Sequence, residues 1–75
     1  MKYNERIRVL REDFDKTQSD IAALLNVGQR TYCDYEFGKI RIPVDNLIIL
    51  AEYYNVSMDY ICGVSNIKNN FPKSK

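Results

Sequence analysis

Histidine is absent from this 75-residue sequence, and cysteine occurs only twice, at Cys33 and Cys62. The two cysteines do not form a CxxC pair, and without histidine they make a poor zinc site and a poor nucleophilic site. We therefore expect no metal and no cofactor. The cysteines are better interpreted as two small hydrophobic residues in a reducing compartment.

Long hydrophobic runs are also missing, and none approaches the ~20 apolar residues that a membrane span needs. The first residues, MKYNERIRVLRED, alternate charged and apolar side chains and contain no signal-peptide segment. We expect a chain that stays in the cytoplasm and does not enter a membrane.

The features of a catalytic site are equally scarce. The sequence has no glycine-rich phosphate loop, and no pair of carboxylates falls on a face that would form a pocket. A chain of this length can barely enclose a substrate. We therefore expect a binding protein rather than an enzyme.

A strong excess of positive charge, which would favour nucleic-acid binding, is missing as well. The net charge is +1, but residues 64–75 contain three lysines and no acid, whereas the first 63 residues carry 8 basic and 10 acidic side chains. Residues 1–63 have the size of one small domain, and residues 64–75 form a polar tail without periodicity that we expect to be mobile. Evidence for a nucleic-acid partner must therefore come from the placement of individual residues.

What the sequence does contain is a series of short amphipathic helices. The first is predicted over about Tyr3–Asp13 from an apolar stripe at spacings of four, three and four residues. The stripe consists of Tyr3, Ile7, Leu10 and Phe14. Arg11 lies beside this stripe, so its guanidinium group is expected to be partly buried and to need a carboxylate partner.

The segment Gln18–Phe37 is predicted to form two helices joined by a tight turn. Thr17 and Asp20 have the spacing of a capping box, which marks the start of the second helix. That helix runs to about Leu25. Three of its side chains are expected to be buried: Ile21, Leu24 and Leu25. Asn26 suits the turn because asparagine tolerates a positive φ.

The third helix is predicted to begin near Gln29, with Gly28 as its N-cap and Gly38 as its C-terminal stop. Tyr32 and Tyr35 are expected to face the core. The opposite, outward face carries Gln29, Arg30, Thr31, Cys33 and Asp34. Arginine can bind guanine and glutamine can bind adenine through two hydrogen bonds, at about 1–3 kcal/mol of discrimination per pair. For any one of these residues, however, a merely solvated polar side chain is the simpler interpretation.

Lys39 and Arg41 follow the third helix in a loop that ends at Pro43. Their positions suit contacts to phosphates, which fix the register of a protein on DNA without reading its sequence. Basic loops are common, so this signal is weak when taken alone.

Two further helices are predicted towards the end of the chain. The fourth runs from about Val44 to Tyr54, and Ile48 and Ile49 extend its apolar stripe almost all round, as in a helix contacted from several sides. The fifth is predicted over Met58–Cys62, with Ser57 as its cap.

Taken together, these residues resemble the lambda-repressor-like helix-turn-helix family, which includes Cro and the xenobiotic-response-element proteins. The likeness rests on TQSDIAALLNVGQRTYCDYEFGKIRIP followed by NLIILAEYYNVSMDYICG, and it extends over roughly Asn4 to Gly63. Several separate signals fall in register, among them Thr17-Gln18, Glu36-x-Gly38-Lys39 and the closing Ser57-x-Asp59-Tyr60-Ile61-x-Gly63. The resemblance implies a compact all-α domain of five helices, in which helices two and three form the helix-turn-helix.

The resemblance also implies roles for individual residues. In such proteins the third helix, here about residues 29–37, lies in the major groove, and the start of the second helix contacts a phosphate, which the helix dipole favours. The DNA-binding residues that this implies are Gln18, Gly28, Gln29, Arg30, Thr31, Cys33, Asp34, Lys39 and Arg41. Glu36 is expected to pair with Arg11, and we assign this ion pair to structure.

Four residues depart from the family pattern. Gly28 replaces a hydroxyl residue that would cap the third helix, a loss of only a few tenths of a kcal/mol. Asp34 replaces a position that is more often Arg, Lys or Gln; an acid there repels phosphate but accepts a hydrogen bond from cytosine. Tyr32 and Tyr35 stand where smaller aliphatic residues are common.

We interpret the chain as a sequence-specific DNA-binding transcriptional regulator, a repressor of a prokaryote or phage. One copy offers few phosphate contacts, so we expect a homodimer on a two-fold site of double-stranded DNA, with helix five and the tail as its interface. An alternative keeps the fold but makes it an antitoxin-like or other protein-binding module. The net charge of −2 in residues 1–63 and Asp34 on the outward face favour this alternative.

Overall fold

A computed structural model describes residues 1–72 and contains five α-helices and no β-strand in that part of the chain. They are α1 (Tyr3–Asp13), α2 (Gln18–Leu25), α3 (Gln29–Phe37), α4 (Val44–Tyr54) and α5 (Met58–Ile61). The predicted all-α class with five helices is confirmed. Only the end of α5 differs, because Cys62 is its C-cap and not its last helical residue. Within residues 1–72, no helix has the length and hydrophobicity required to cross a membrane.

Local side-chain chemistry determines where the helices begin and end. The capping box of α2 is complete: Thr17 Oγ1 accepts a hydrogen bond from Asp20 N–H at 3.0 Å, and Asp20 Oδ2 accepts one from Thr17 N–H at 3.0 Å. The hydrogen bond from Thr17 N–H, and after it the Thr17 hydroxyl group, lowers the pKa of the Asp20 carboxyl group. Asn26, Gly38 and Asn55 end α2, α3 and α4 in the left-handed conformation, with φ values of 57°, 75° and 54°.

The helices enclose one hydrophobic core. Its fully buried side chains come from all five helices and from the α4–α5 turn: Ile7, Leu10, Ile21, Tyr32, Leu50, Val56 and Ile61. Burial of apolar surface is the main favourable contribution to folding, at about 25 cal/mol per Å². Because a domain of this size buries a smaller share of its surface than a large one does, each of these side chains matters to its stability.

Three apolar residues that the sequence predicts in the core are partly exposed. Phe14 is 41% exposed, Leu24 39% and Ile49 38%. The eight-residue α2 buries a single face, and Leu24 lies at the edge of that face. On α4 the apolar stripe extends further than the buried face, because Ile49 is partly exposed while Leu47 and Leu50 are buried. Phe14 is the C-cap of α1 and packs edge-on against Tyr54, with ring centroids 4.9 Å apart.

The polar tail lies along the domain as far as the structure describes it. Ser57 N–H donates to the Asn69 carbonyl at 2.8 Å, and Phe71 N–H donates to Asn55 Oδ1 at 3.2 Å. The Phe71 side chain is half-buried against the core. The expected mobility of the tail stays a prediction. That prediction also covers residues 73–75, which lie outside the described residues.

Candidate nucleic-acid interface

A three-residue turn, residues 26–28, joins α2 to α3. Val27 N–H donates to the Ala22 carbonyl at 3.0 Å, which closes the end of α2 around the left-handed Asn26. Gly28 then caps α3 in an extended conformation, with φ −69° and ψ 153°. The helix-turn-helix predicted for this segment is therefore present.

One face of α3 is buried and the other is presented to solvent. Tyr32, Tyr35 and Glu36 are buried. On the outward face, Gln29 and Arg30 are exposed on the first helical turn. The other outward residues are half-buried, namely Thr31, Cys33 and Asp34. The leading turn of α3 therefore carries the most accessible polar side chains of the helix.

An ion pair lies along the outward face of α3. Arg30 Nε is 3.9 Å from Asp34 Oδ1, one helical turn further on. The Arg30 side chain is 87% exposed, and a surface pair of this kind contributes little because water solvates it. At 3.9 Å the two groups form no hydrogen bond, so Asp34 does not occupy the hydrogen-bond donors of Arg30.

The buried face of α3 is fixed to the rest of the domain through the Glu36 carboxylate. Arg11 donates to it twice, from Nε to Oε2 at 2.7 Å and from Nη2 to Oε1 at 3.1 Å. Gln18 Nε2 donates to Oε1 at 3.2 Å. Two parallel bonds between a planar guanidinium group and a carboxylate allow little freedom of orientation. The expected Arg11–Glu36 pair is present, and the carboxylate links α3 to both α1 and α2.

These contacts hold Glu36 in its charged form. Burial on its own would raise the pKa of the carboxyl group, but the hydrogen bonds from Arg11 and Gln18, with the Tyr32 hydroxyl nearby, outweigh burial. The pKa of Glu36 is therefore lowered. The bond to Glu36 in turn raises the pKa of Arg11.

Two tyrosine hydroxyls are buried near this ion pair. Within the part of the chain that the structure describes, neither Tyr32 Oη nor Tyr54 Oη has a partner with hydrogen-bond geometry. The pKa of Tyr32 is raised, mainly by burial and to a smaller extent by the neighbouring Glu36 carboxylate. The pKa of Tyr54 is also raised, again mainly by burial and to a smaller extent by the Glu36 charge.

Gln18 occupies the position at which the sequence predicts a phosphate contact. Its side chain is half-buried and donates to Glu36. The capping box satisfies Asp20 N–H, whereas the backbone N–H groups of Gln18 and Ser19 have no acceptor within the helix, and the positive end of the helix dipole lies there. In this structure the Gln18 side chain therefore contacts Glu36, and the phosphate contact predicted for Gln18 stays a prediction.

The loop after α3 carries the remaining cations of the predicted site. Gly38 ends the helix, and Lys39 and Arg41 are both exposed. Two apolar side chains in the same stretch, Phe37 and Ile40, are also exposed. The predicted DNA-binding side chains on α3 and in this loop are thus all at least partly accessible to solvent.

A small groove lies beside Arg41. It has a volume of about 180 Å³ and is lined by Tyr3, Arg41, Ile42, Val44, Leu47 and Cys62. Pockets for drug-sized ligands usually measure about 300–1,000 Å³, so the groove is small for a cofactor. Among residues 1–72, no three potential metal ligands cluster.

A buried arginine on α1 was not predicted from the sequence. Arg6 is only 4% exposed, and its guanidinium carbon lies 3.8 Å from the centroid of the Tyr60 ring. Its Nη2 donates to Asn66 Oδ1 at 3.0 Å, whereas its Nε has no acceptor among the described residues. The sequence does contain a signal for this burial, because Arg6 follows Tyr3 by three residues and precedes Leu10 by four, on the apolar face.

The sequence matches the helix-turn-helix family over residues 7–61. It is 36% identical over 64 residues to YobD of Bacillus subtilis, an uncharacterized HTH-type transcriptional regulator, covering 85% of this chain and 57% of YobD. It is 32% identical over 63 residues to the cryptic phage CTXphi transcriptional repressor RstR of Vibrio cholerae, covering 84% of this chain and 56% of RstR. The chain thus spans slightly more than half the length of these curated relatives.

The fold is also similar to that of a solved protein. The crystal structure of a transcriptional regulator from Listeria innocua superposes with a TM-score of 0.80 at 31% sequence identity. The match covers 92% of this chain and 65% of that one. Sequence and fold therefore give the same assignment.

Proposed function

The chain belongs to the helix-turn-helix family, and on that premise we propose that it binds double-stranded DNA sequence-specifically and represses transcription. The proposal depends on one observation: Gln29 and Arg30 are exposed on the first turn of a helix whose opposite face is fixed through Glu36. A rigid helix with free donors at its leading end meets the requirement for reading base edges in the major groove. Among the relatives, RstR is described as a transcriptional repressor.

In this proposal α3 enters the major groove with its N-terminal turn. Arg30 donates two hydrogen bonds to a guanine, and Gln29 bonds to an adenine. Asp34 accepts a hydrogen bond from the N4 of a cytosine. Thr31 and Cys33, which are small and half-buried, allow the helix to approach the base edges closely.

Phosphates are contacted by two further groups. The N-termini of α2 at Gln18 and of α3 at Gly28 offer backbone N–H groups, and Lys39 and Arg41 offer positive charges. Each neutralised phosphate releases counterions, so binding weakens as salt rises. Lys39→Ala is expected to weaken binding to all sequences alike and to reduce the slope of log K against log salt by about 1.

Selection of bound fragments from a random DNA pool tests the proposal. We expect an enriched consensus, and Arg30→Ala should weaken binding to it by about 5- to 150-fold, because one bidentate base contact is worth about 1–3 kcal/mol. Arg8→Ala removes the same charge from an exposed position on α1 and is the matched control. Failure to enrich any sequence, or equal losses for the two variants, would contradict base recognition by α3.

We further propose that two copies bind a two-fold site with half-sites about 34 Å apart. The proposed interface is α5 with the tail, and it is supported by the exposure of Val64 and Ile67, which are 79% and 68% exposed. The length of the footprint on the selected DNA tests this, and protection of a single half-site would contradict it. Since the proposed target is DNA of a prokaryote or phage, we also propose that the protein acts in the cytoplasm.

A further inference from the structure

The guanidinium group of Arg6 is buried without a counter-charge. Within residues 1–72, no carboxylate lies at salt-bridge distance from it; the ion pairs there involve Arg11 and Arg30. A buried charge is stable only when it is compensated. Here the compensation comes from the face of Tyr60, 3.8 Å away, and from one neutral acceptor, Asn66 Oδ1 at 3.0 Å.

On the Nε–Nη2 edge of this guanidinium group, only one of the two nitrogens donates a hydrogen bond. On Arg11, Nε and Nη2 donate side by side to the two oxygens of Glu36. On Arg6 the same edge binds a single amide oxygen of Asn66 at Nη2, and the buried Nε has no acceptor. A carboxylate has the second acceptor oxygen that an amide lacks. The free edge of Arg6 therefore has the geometry of a carboxylate site.

Asn66 belongs to a tail that few hydrogen bonds hold to the domain. Val64 N–H and Ser65 N–H donate to the Asp59 carbonyl of α5 at 2.9 and 3.1 Å. Beyond them, residues 66–72 are attached to the domain core through the Ser57–Asn69 and Asn55–Phe71 hydrogen bonds and the half-buried Phe71 ring, while Asn66 itself is exposed. The tail leaves α5 at a glycine with φ of 83°. Displacement of residues 66–72 would leave the five helices intact, together with the two hydrogen bonds to Asp59 that close the end of α5.

We propose that Arg6 and Tyr60 form a binding site for an acidic side chain of a partner protein, and that Asn66 occupies this site in the free chain. The partner's carboxylate accepts hydrogen bonds from Nε and Nη2 of Arg6 and displaces residues 66–72. The occupant is acidic because the site already supplies a cation and an aromatic face, so that a negative charge is the missing component. This site is separate from the proposed DNA-binding surface on α3, but it shares α5 and the tail with the proposed dimer interface.

The first test supplies the carboxylate within the chain. In Asn66→Asp, NMR titration should give the introduced carboxyl group a pKa about one to three units below the ordinary aspartate value, with a shifted Arg6 Nε–H signal. Asn66 is exposed, so the substitution does not endanger the fold. Asn70→Asp, at another exposed position of the tail, is the matched control. Equal pKa values in the two variants would overturn the proposal.

The second test supplies the carboxylate from outside. The full chain with Asn66→Gly, which removes the internal acceptor, is titrated with two peptides, VSDIKNNFP and VSNIKNNFP; the second copies residues 64–72. We expect the acidic peptide to bind at least about 10-fold more tightly, with the largest shifts at Arg6 Nε and Tyr60. Equal affinities, or a preference that survives Arg6→Gln, would overturn the proposal. The proposal would also be overturned if the chain without peptide forms a dimer and already shows the same shift of the Arg6 Nε signal. A second copy of the chain would then fill the site.

Discussion

Two arginines of α1, the buried Arg6 and the half-buried Arg11, are compensated in different ways. Arg11 donates two hydrogen bonds to the Glu36 carboxylate, so its charge connects α1 to α3. Arg6 lies against an aromatic ring and donates to a single amide oxygen. Arg11 thus connects two helices through a charged, two-oxygen acceptor, whereas Arg6 connects α1 to α5 and the tail without any carboxylate.

The two sites should therefore respond differently when the arginine is removed. Loss of Arg11 leaves a negative charge behind in the core, on a Glu36 side chain that is 1% exposed. Loss of Arg6 leaves an aromatic ring and an exposed amide, and neither carries charge. Four measurements would sharpen or break this distinction.

The largest effect is expected for Arg11→Met. It should lower the free energy of unfolding by about 3–5 kcal/mol, because Glu36 would be buried without a counter-charge. Urea denaturation followed by circular dichroism at pH 7 measures this loss. Arg8→Met, at an exposed position of the same helix, should change stability by no more than about 0.5 kcal/mol. If both variants lose equally little, the pair does not hold α3.

Acid should weaken the Arg11 site specifically. The pKa of Glu36 is lowered in the folded state, so the unfolded chain takes up the proton first as the pH falls. The contribution of the pair is fully present above the ordinary value of 4.5 and is lost as the pH falls through the lower, folded-state pKa. In Glu36→Gln the slope of stability against pH should be smaller, by up to about 1.4 kcal/mol per pH unit. Parallel curves for wild type and variant would contradict this.

Gln18→Ala should have a smaller effect on the same site. It removes one hydrogen bond to a charged, buried acceptor, and we expect a loss of about 1.5 kcal/mol in the free energy of unfolding. Ser19→Ala, at the next and exposed position of α2, is the control for truncation near the helix start. A loss no greater than that of Ser19→Ala would show that Gln18 does not position Glu36.

Arg6→Met should have the smallest effect, within about 1 kcal/mol of wild type. The variant loses the contact with Tyr60 and one hydrogen bond to an exposed residue, but it also removes the cost of burying a charge. Denaturation under the conditions used for Arg11→Met measures the difference. A loss of several kcal/mol would break the comparison, because Arg6 would then be as important to the fold as Arg11.

The sequence predicted the parts of the fold that local chemistry controls. Thr17 caps α2 and Asn26 ends it through contacts within a few residues, so their spacing alone was informative. The partner of Arg11 came from the family resemblance, since Glu36 lies 25 residues away along the chain. Spacing indicated only that Arg11 needed a carboxylate.

What the sequence did not predict depends on distant contacts. Arg6 meets Asn66, 60 residues further along the chain, and no local pattern relates the two. Leu24 is an ordinary core residue by type, but the packing of a short helix leaves it partly exposed. At the candidate site, the first turn of α3 was predicted to face outward and does. The hydrogen bond from Gln18 to Glu36 could not be predicted, because it depends on how α2 and α3 are placed relative to each other.

The enclosed hydroxyls of Tyr32 and Tyr54 give the protein an optical reporter of its own unfolding. The sequence contains no tryptophan, so the ultraviolet signal of ionised phenol is not masked by indole. Because both phenols have raised pKa values in the native state, stability is lost as the pH rises above the ordinary value of 10.0, where the denatured chain releases these protons first. In alkali, the tyrosinate absorbance of these two rings should therefore appear in the same cooperative step in which the helical signal disappears.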